Sequence, residues 1–294
     1  MRYFFEYWNK LKGGFAKKSV VLFLDYDGTL TPIVKTPHRA VLSSELKRLL
    51  ERLIKNHLCE IAIISGRALK DIKKKIGISG IVYVGNHGLE IEVPRLKFSR
   101  PPFDMRRNHH IALKNPVSLR YKRIIEHIKD GLTLKLSTIK GAFVEDKGLS
   151  LSVHYRLVDK SQLPTVTNIL QEAAILYSGR NKIKIKRGKK VFEIRPAVEW
   201  DKGKIVLWLL DRWDFSLKDK EILPVYLGDD ITDEDAFKVL RNKGITIFVG
   251  EPKKSNARYY LKDTQEVRDF LNHIARLQKI PLKNGRFNKS QRAV

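Results

Sequence analysis

Ser19-Val20-Val21-Leu22-Phe23-Leu24-Asp25-Tyr26-Asp27-Gly28-Thr29-Leu30 is the stretch whose reading decides the fold. Its apolar residues do not alternate with polar ones. They run on from Val20 to Leu24 and stop at a carboxylate. A strand with one wet face alternates, whereas a short continuous apolar run bounded by turn chemistry is a strand buried on both faces, as in a parallel sheet. Asp27-Gly28 supplies the turn that ends it.

Outward from this run the same grammar repeats. Ser43 to Leu53 reads as a capped helix, Ile61-Ala62-Ile63-Ile64 as a second buried strand ending at Ser65-Gly66-Arg67, and Ala68 to Ile76 as a helix. Ile81 to Val84 is a third strand, ending at Gly85-Asn86-His87-Gly88. After a middle region the pattern resumes with a helix over Lys202–Leu210, a strand over Pro224–Leu227 ending at Gly228-Asp229-Asp230, a helix over Asp233–Asn242, a strand over Ile245–Val249 and a helix over Thr264–Leu277. Strands alternating with helices predict an α/β fold, a doubly wound parallel sheet.

The middle differs. Lys97 to Asn115, rich in Pro, Arg and His, reads as a linker. Ala142–Val144 and Leu149–Tyr155 read as a hairpin around Lys147-Gly148, Val166–Tyr177 as a helix, and Lys182–Lys186 and Val191–Ile194 as strands joined near Gly188. These predict an inserted α+β cap. The expected organisation is a discontinuous core over 1–112 and 198–278, a cap over 113–197 and a disordered basic tail over 279–294. Residues 1–17 predict an amphipathic helix, with Trp8, Trp208 and Trp213 in the core.

Lys and Arg number 58 against 32 Asp and Glu, a net charge of +26. Such a surplus attracts anions: nucleic acid, acidic headgroups or phosphorylated substrates. No zinc-finger or RNA-recognition signature accompanies it, and the basic residues are spread along the chain, so nucleic acid is not the expected partner. No apolar run reaches membrane-spanning length. Glu6 and Lys10 interrupt the N-terminal apolar residues and no small-residue cleavage site follows, so no signal peptide is expected. A single cysteine, Cys59, allows no internal disulfide and points to a reducing cytoplasm.

Asp25-Tyr26-Asp27-Gly28-Thr29, Ser65-Gly66-Arg67 and Gly228-Asp229-Asp230 all stand at the carboxyl ends of strands, where open α/β sheets bind ligands. Gly28 lets the chain turn so that Asp25 and Asp27 can reach one site. Neighbouring carboxylates repel unless a cation lies between them, and Mg²⁺ bound by one or two carboxylates plus a substrate phosphate fits. A carboxylate can attack phosphorus, and a second can give a proton to the leaving oxygen and later take one from water.

Asp25-x-Asp27-Gly28-Thr29-Leu30, Ser65, Lys202 and Gly228-Asp229-Asp230-x-x-Asp233 resemble, in order, the four motifs of the haloacid-dehalogenase-like phosphatases. Gly85-Asn86-His87-Gly88-Leu89-Glu90, Glu145-x-Lys147, His154-Tyr155-Arg156, Glu193-Ile194-Arg195-Pro196 and Trp200-Asp201-Lys202-Gly203 extend the resemblance, from about residue 20 to 250, to the trehalose-phosphate phosphatases. The resemblance implies a core of haloacid-dehalogenase type and a Mg²⁺-dependent phosphatase that hydrolyses trehalose 6-phosphate in trehalose biosynthesis, paired functionally with a trehalose-phosphate synthase.

It also implies roles. Asp25 would be nucleophile and metal ligand, and Asp27 the acid/base, with its carbonyl on the metal. Lys202 would neutralise the phosphoryl group, which Thr29 and Ser65 would hydrogen-bond. Asp229 would complete the metal shell, with Asp230 and Asp233 near or behind it. Glu145, Lys147 and Glu193 would read the sugar, and Gly66, Arg67, His87 and Arg195 would line the same cleft. The core motifs bind only phosphate and metal, so they also admit another phosphosugar. The charge offers a reading of another class, an anion or nucleic-acid binder on the same scaffold.

Overall fold

The computed structural model describes residues 1–55, 59–94, 111–112, 117–178, 183–188, 190–198, 200–216 and 221–277. In chain order the elements are β1 (Arg2–Tyr3), α1 (Trp8–Lys17), β2 (Ser19–Leu24), α2 (Ser44–Ile54), β3 (Cys59–Ile64), α3 (Leu69–Ile76), β4 (Val82–Gly85), β5 (Glu90–Glu92), β6 (Ile111–Ala112), α4 (Val117–Leu136), β7 (Phe143–Asp146) and β8 (Leu151–His154). There follow α5 (Leu163–Ser178), β9 (Ile183–Gly188), β10 (Val191–Pro196), α6 (Lys202–Ser216), β11 (Ile222–Gly228), α7 (Glu234–Leu240), β12 (Ile245–Val249), β13 (Tyr259–Leu261) and α8 (Thr264–Leu277).

The main sheet has the order β1-β13-β12-β11-β2-β3-β4-β5-β6 and is parallel except for the antiparallel pairings of β5 with β4 and β6. The unbroken apolar run of β2 has its explanation in the two faces. Val20, Leu22 and Leu24 pack with α2, α3 and α8 on one side, while Val21 and Phe23 pack with α6 and α7 on the other. β3 and β11 divide their residues in the same way, so the sheet is doubly wound. Cys59 is buried in the first of these layers.

A separate four-stranded antiparallel sheet, β7-β8-β10-β9, forms the cap. One face carries Leu151, Val153, Ile183 and Ile194 under α4 and α5. Across its register Glu145 faces Ser152, Ser152 faces Glu193 and Glu193 faces Lys186, a polar row on the other face.

Three sequence expectations are modified. The helix expected over 1–17 starts at Phe4, as a 3-10 turn over Phe4–Tyr7 that runs into α1, while Arg2–Tyr3 pairs with β13 and Phe4 buries its ring against Phe15, Tyr259 and Phe270. Of the expected linker, Ile111–Ala112 pairs with β5. Helix α4 has no counterpart among the expectations. Trp213 is fully buried, whereas Trp8 and Trp208 pack at the core margin. The expected tail lies outside the described residues. No helix among those described is long and apolar enough to cross a membrane.

Candidate active site

Parallel register aligns the ends of β2, β3 and β11: Leu24 pairs with both Ile63 and Leu227. Asp25, one residue beyond, and Ser65 and Asp229, two residues beyond, therefore emerge along one edge of the sheet. The Asp25 N–H continues the ladder to Leu227 O at 3.0 Å, and the Ser65 N–H does the same to Val84 O. A cavity of about 180 Å³ opens there between this edge and the polar face of the cap. Its wall includes Asp25, Asp27, Ser65, Gly66, Arg67, His87, Glu145, Lys147, Glu193, Lys202, Asp229 and Asp230.

Lys202, the first residue of α6, is buried and donates from Nζ to Asp25 Oδ1 at 2.8 Å and to Asp233 Oδ1 at 2.7 Å. Its partners' charges hold it protonated against the cost of burial, well above the usual lysine value. Burial raises the Asp25 carboxyl well above 3.8, and Asp233 and Asp229 add to the rise that Lys202 opposes. Ligand oxygens of Asp25, Asp229 and Asp233 lie within 4.8 Å of one another. Gly28 makes room for this group: at φ +91 it turns the chain, and a Cβ there would fall 2.2 Å from Asp229 Oδ2.

The acidic residues after β11 separate by task. Asp233 accepts from Lys202 and the Tyr226 hydroxyl on Oδ1 and from the N–H groups of Asp229 and Asp230 on Oδ2. The Asp230 carboxylate caps the turn Ile231–Asp233. Asp25 and Asp229 are left as the pair that faces the cavity from the metal-competent group, while Asp230 reaches the wall but stands outside that group.

Asp27 is held differently from Asp25. Arg67 clamps it with Nε on Oδ2 and Nη2 on Oδ1, both at 2.7 Å, and holds Asp71 and the Pro37 carbonyl with its remaining donors. Ser65 stands at the wall, its Oγ accepting from the Arg67 N–H. The Thr29 hydroxyl is buried away from the wall, with no hydrogen-bond partner among the described residues.

From the cap, Glu193 meets His87 Nε2 at 2.9 Å and also contacts Arg195, with Lys147 Nζ 3.9 Å away. Burial works to raise Glu193, but the His87 hydrogen bond and the cations of Arg195 and Lys147 outweigh it and hold the group well below its usual range. Burial pushes His87 down to about 3, so its ring is neutral and Nε2–H donates to Glu193. The ring lies against Gly66, where any Cβ would collide with it at 2.4 Å. Burial also opposes the ionisation of Glu145, yet the His154 hydrogen bond at 2.7 Å and the Lys147 charge keep it lowered. Arg195 sits behind Glu193 and does not reach the wall.

Ser152 and Lys190, which the sequence did not single out, also line the cavity, as do His154 and Arg156, which the resemblance quoted without a place in the site, and the loop Ile33-Val34-Lys35. Strict alternation along β8 was the available signal. With Leu151 and Val153 in the core, Ser152 and His154 must face the other way.

Residues 23–265 match the Trehalose-phosphatase family. The chain belongs to the trehalose-phosphatase family. It is accordingly a phosphoric monoester hydrolase by descent. Trehalose 6-phosphate phosphatase RA3 of Zea mays is 38% identical over 261 residues, which make up 88% of this chain and 70% of that protein. Trehalose-phosphate phosphatase B of Arabidopsis thaliana is 37% identical over 274 residues, 92% of this chain and 69% of that one. Among solved structures, the C-terminal domain of C. albicans trehalose-6-phosphate phosphatase superposes with a TM-score of 0.74 over 93% of this chain and 98% of that one. At 24% identity it attests the fold of this trehalose-phosphatase family member.

Proposed function

We propose that this protein hydrolyses trehalose 6-phosphate to trehalose and phosphate, using Mg²⁺ and a phosphoaspartyl intermediate on Asp25. One observation carries the reading. A single cavity brings the Asp25–Lys202–Asp229 edge of the core, suited to a phosphoryl group, against the cap row Glu145–Ser152–Glu193, suited to sugar hydroxyls. The names of the curated relatives support the sugar's identity.

The donor set fits a hard divalent cation: three buried carboxylates cluster, Asp25 and Asp233 sharing the Lys202 ammonium, and Asp25 and Asp229 face the cavity. Asp25, Asp229 and the backbone carbonyl of Asp27 would hold Mg²⁺, whose charge would offset the crowding of carboxylate and phosphate oxygens. Lys202 orients Asp25 and keeps an ammonium beside the phosphoryl group. Asp25 attacks phosphorus, and the bond to the sugar oxygen breaks as that oxygen takes a proton from Asp27. Asp27 then takes a proton from water, which attacks the phosphoaspartyl group and releases phosphate. Asp27, whose two oxygens both accept from Arg67, must give up one of these bonds and carry a proton on the freed oxygen before the leaving oxygen can take it.

Mutual repulsion of cap carboxylates and phosphate is avoided because Glu145 and Glu193 read hydroxyls, and the Lys147 charge acts on both. We take 113–197 as a unit that closes over the core, at 1–112 and 198–278, and excludes water from the acyl phosphate. Phosphate release from trehalose 6-phosphate, with Mg²⁺, should greatly exceed that from glucose 6-phosphate or sucrose 6-phosphate. Equal rates on all three would end the substrate assignment.

A further inference from the structure

We propose that Asn86 is a positioning residue that sets Lys147 over the cavity by tying the β7–β8 turn of the cap to the core. The proposal rests on the reading above only in taking Lys147 to face the sugar.

Asn86 opens the turn after β4 and is fully buried. Its Nδ2 donates to the Lys147 carbonyl at 2.9 Å and to Glu90 Oε2 at 2.5 Å. Its Oδ1 accepts from Ser150 Oγ at 2.5 Å. Both amide protons and the oxygen are thus engaged, and two of the three partners belong to the cap. Lys147 and Ser150 are the two ends of one tight turn, closed by the Lys147 N–H on Ser150 O at 3.0 Å. One carboxamide therefore grips both ends of the turn that presents Lys147.

The core side is braced to match. The Asn86 N–H bonds Arg67 O at 2.7 Å and the His87 N–H bonds Ser65 O at 3.0 Å, so the turn is fastened to the strand end that forms the phosphoryl edge. Glu90 is fixed by the Leu69 N–H at the start of α3. Asn86 and His87 both hold left-handed backbone, φ 49 and φ 56, which asparagine tolerates better than most residues. That uncommon backbone is what lets consecutive side chains reach different strands of the cap, Asn86 the β7–β8 turn and His87 Glu193 on β10. This contact therefore sets the distance from Lys147 to the phosphoryl edge.

Aspartate has the same shape as asparagine but only accepts, so it cannot bond the Lys147 carbonyl or Glu90. The test compares full-length wild type, Asn86→Asp and Ser150→Ala with Mg²⁺. Kinetics are read on trehalose 6-phosphate and on p-nitrophenyl phosphate, with amide exchange over residues 143–154. Asn86→Asp should raise KM for the sugar ester by about tenfold, the equivalent of the lost bond to the Lys147 carbonyl, the one of the two that holds the cap turn. It should leave kcat/KM for the aryl ester within about twofold and speed exchange at the β7–β8 turn. Ser150→Ala should shift the same quantities in the same direction by less.

Equal losses on both esters, or unchanged exchange at the turn, would overturn the assignment. If Asn86→Asp fails to fold, Ser150→Ala decides by the same two measurements. If wild type prefers a different sugar ester, the substrate reading falls, and the ratio of that ester to the aryl ester still judges Asn86.

Discussion

Replacing Asp25 with Asn should abolish turnover and stabilise the metal-free protein. Three carboxylates have ligand oxygens within 4.8 Å of one another, and two of them, Asp25 and Asp233, bond the one Lys202 ammonium. At an effective dielectric constant of about 20, each carboxylate pair repels by about 3.5 kcal/mol at that separation, and Lys202 attracts Asp25 by about 6 kcal/mol at 2.8 Å. The substitution removes two repulsions, about 7 kcal/mol together, and forfeits an attraction slightly smaller than their sum, while an acceptor for Lys202 remains. It also removes the cost of burying a charge. A net gain on the order of 1 kcal/mol raises the melting temperature by roughly 2–4 °C.

The sign follows from protons. Burial raises the Asp25 carboxyl well above 3.8, so above that value the folded chain keeps a proton that the unfolded chain has released. Wild-type stability therefore falls as pH rises from 3.8 through the raised value. The variant's advantage opens in that window and vanishes below it. Scanning calorimetry in EDTA at acid and at mildly alkaline pH reads the effect. Added Mg²⁺ should stabilise wild type more than the variant, because binding to the folded state alone adds stability. A variant that melts no higher than wild type in EDTA at alkaline pH would refute the charge-crowding argument, and retained turnover would refute Asp25 as nucleophile.

Two further substitutions probe the rest of the cavity. Arg67→Lys leaves a point charge where a planar fork bound both oxygens of Asp27, so kcat should fall by roughly tenfold or more, with a lowered melting temperature from the buried bonds lost; wild-type kcat would show that the clamp does not align the acid. Glu193→Gln removes an ionised acceptor from the cap and should raise KM for the sugar ester about tenfold while sparing p-nitrophenyl phosphate. Because Glu193 is held well below its usual range, the wild-type advantage should persist as the pH is lowered past 4.5 and disappear only lower.

The doubly wound sheet was legible because burial on both faces leaves a mark that needs no partner to be read. Val20 to Leu24 had to be apolar throughout once the helices lay on either side. Helix α4 was not legible, although Ile125, Ile128, Leu132 and Leu136 keep helical spacing on its buried side. Gly131 and Thr133 lower its intrinsic preference, and Lys and Arg crowd the other sides of the helix. Its stability comes from packing on the cap sheet, which a window of sequence does not contain. At the start of the chain the helix was legible and only the pairing of Arg2–Tyr3 with β13 was hidden. The aromatic residues of 1–17 fit a helical stripe, but Phe4 finds its partners at Tyr259 and Phe270, more than 250 positions away.

The site divides along the same physical line. Asp25, Ser65 and Asp229 could be found because their position at strand ends is a local property, and parallel register then brings them together without further information. Asp229, Asp230 and Asp233 look alike in sequence, yet only geometry assigns them. A carboxylate that already takes four donors, as Asp233 does, is a brace for Lys202 and the strand end, while Asp230 belongs to the capping box of its own turn and still reaches the wall. Asp229, set against Gly28, keeps its place at the wall beside Asp25. The pairing of Arg67 with Asp27 and of Asn86 with the Lys147 turn joins residues 40 and 61 positions apart and has no periodic trace at all. What sequence conveys here is therefore the chemistry each strand end can perform; what folding adds is which acid is braced, which is exposed and which core contact holds the cap's charges in register with it.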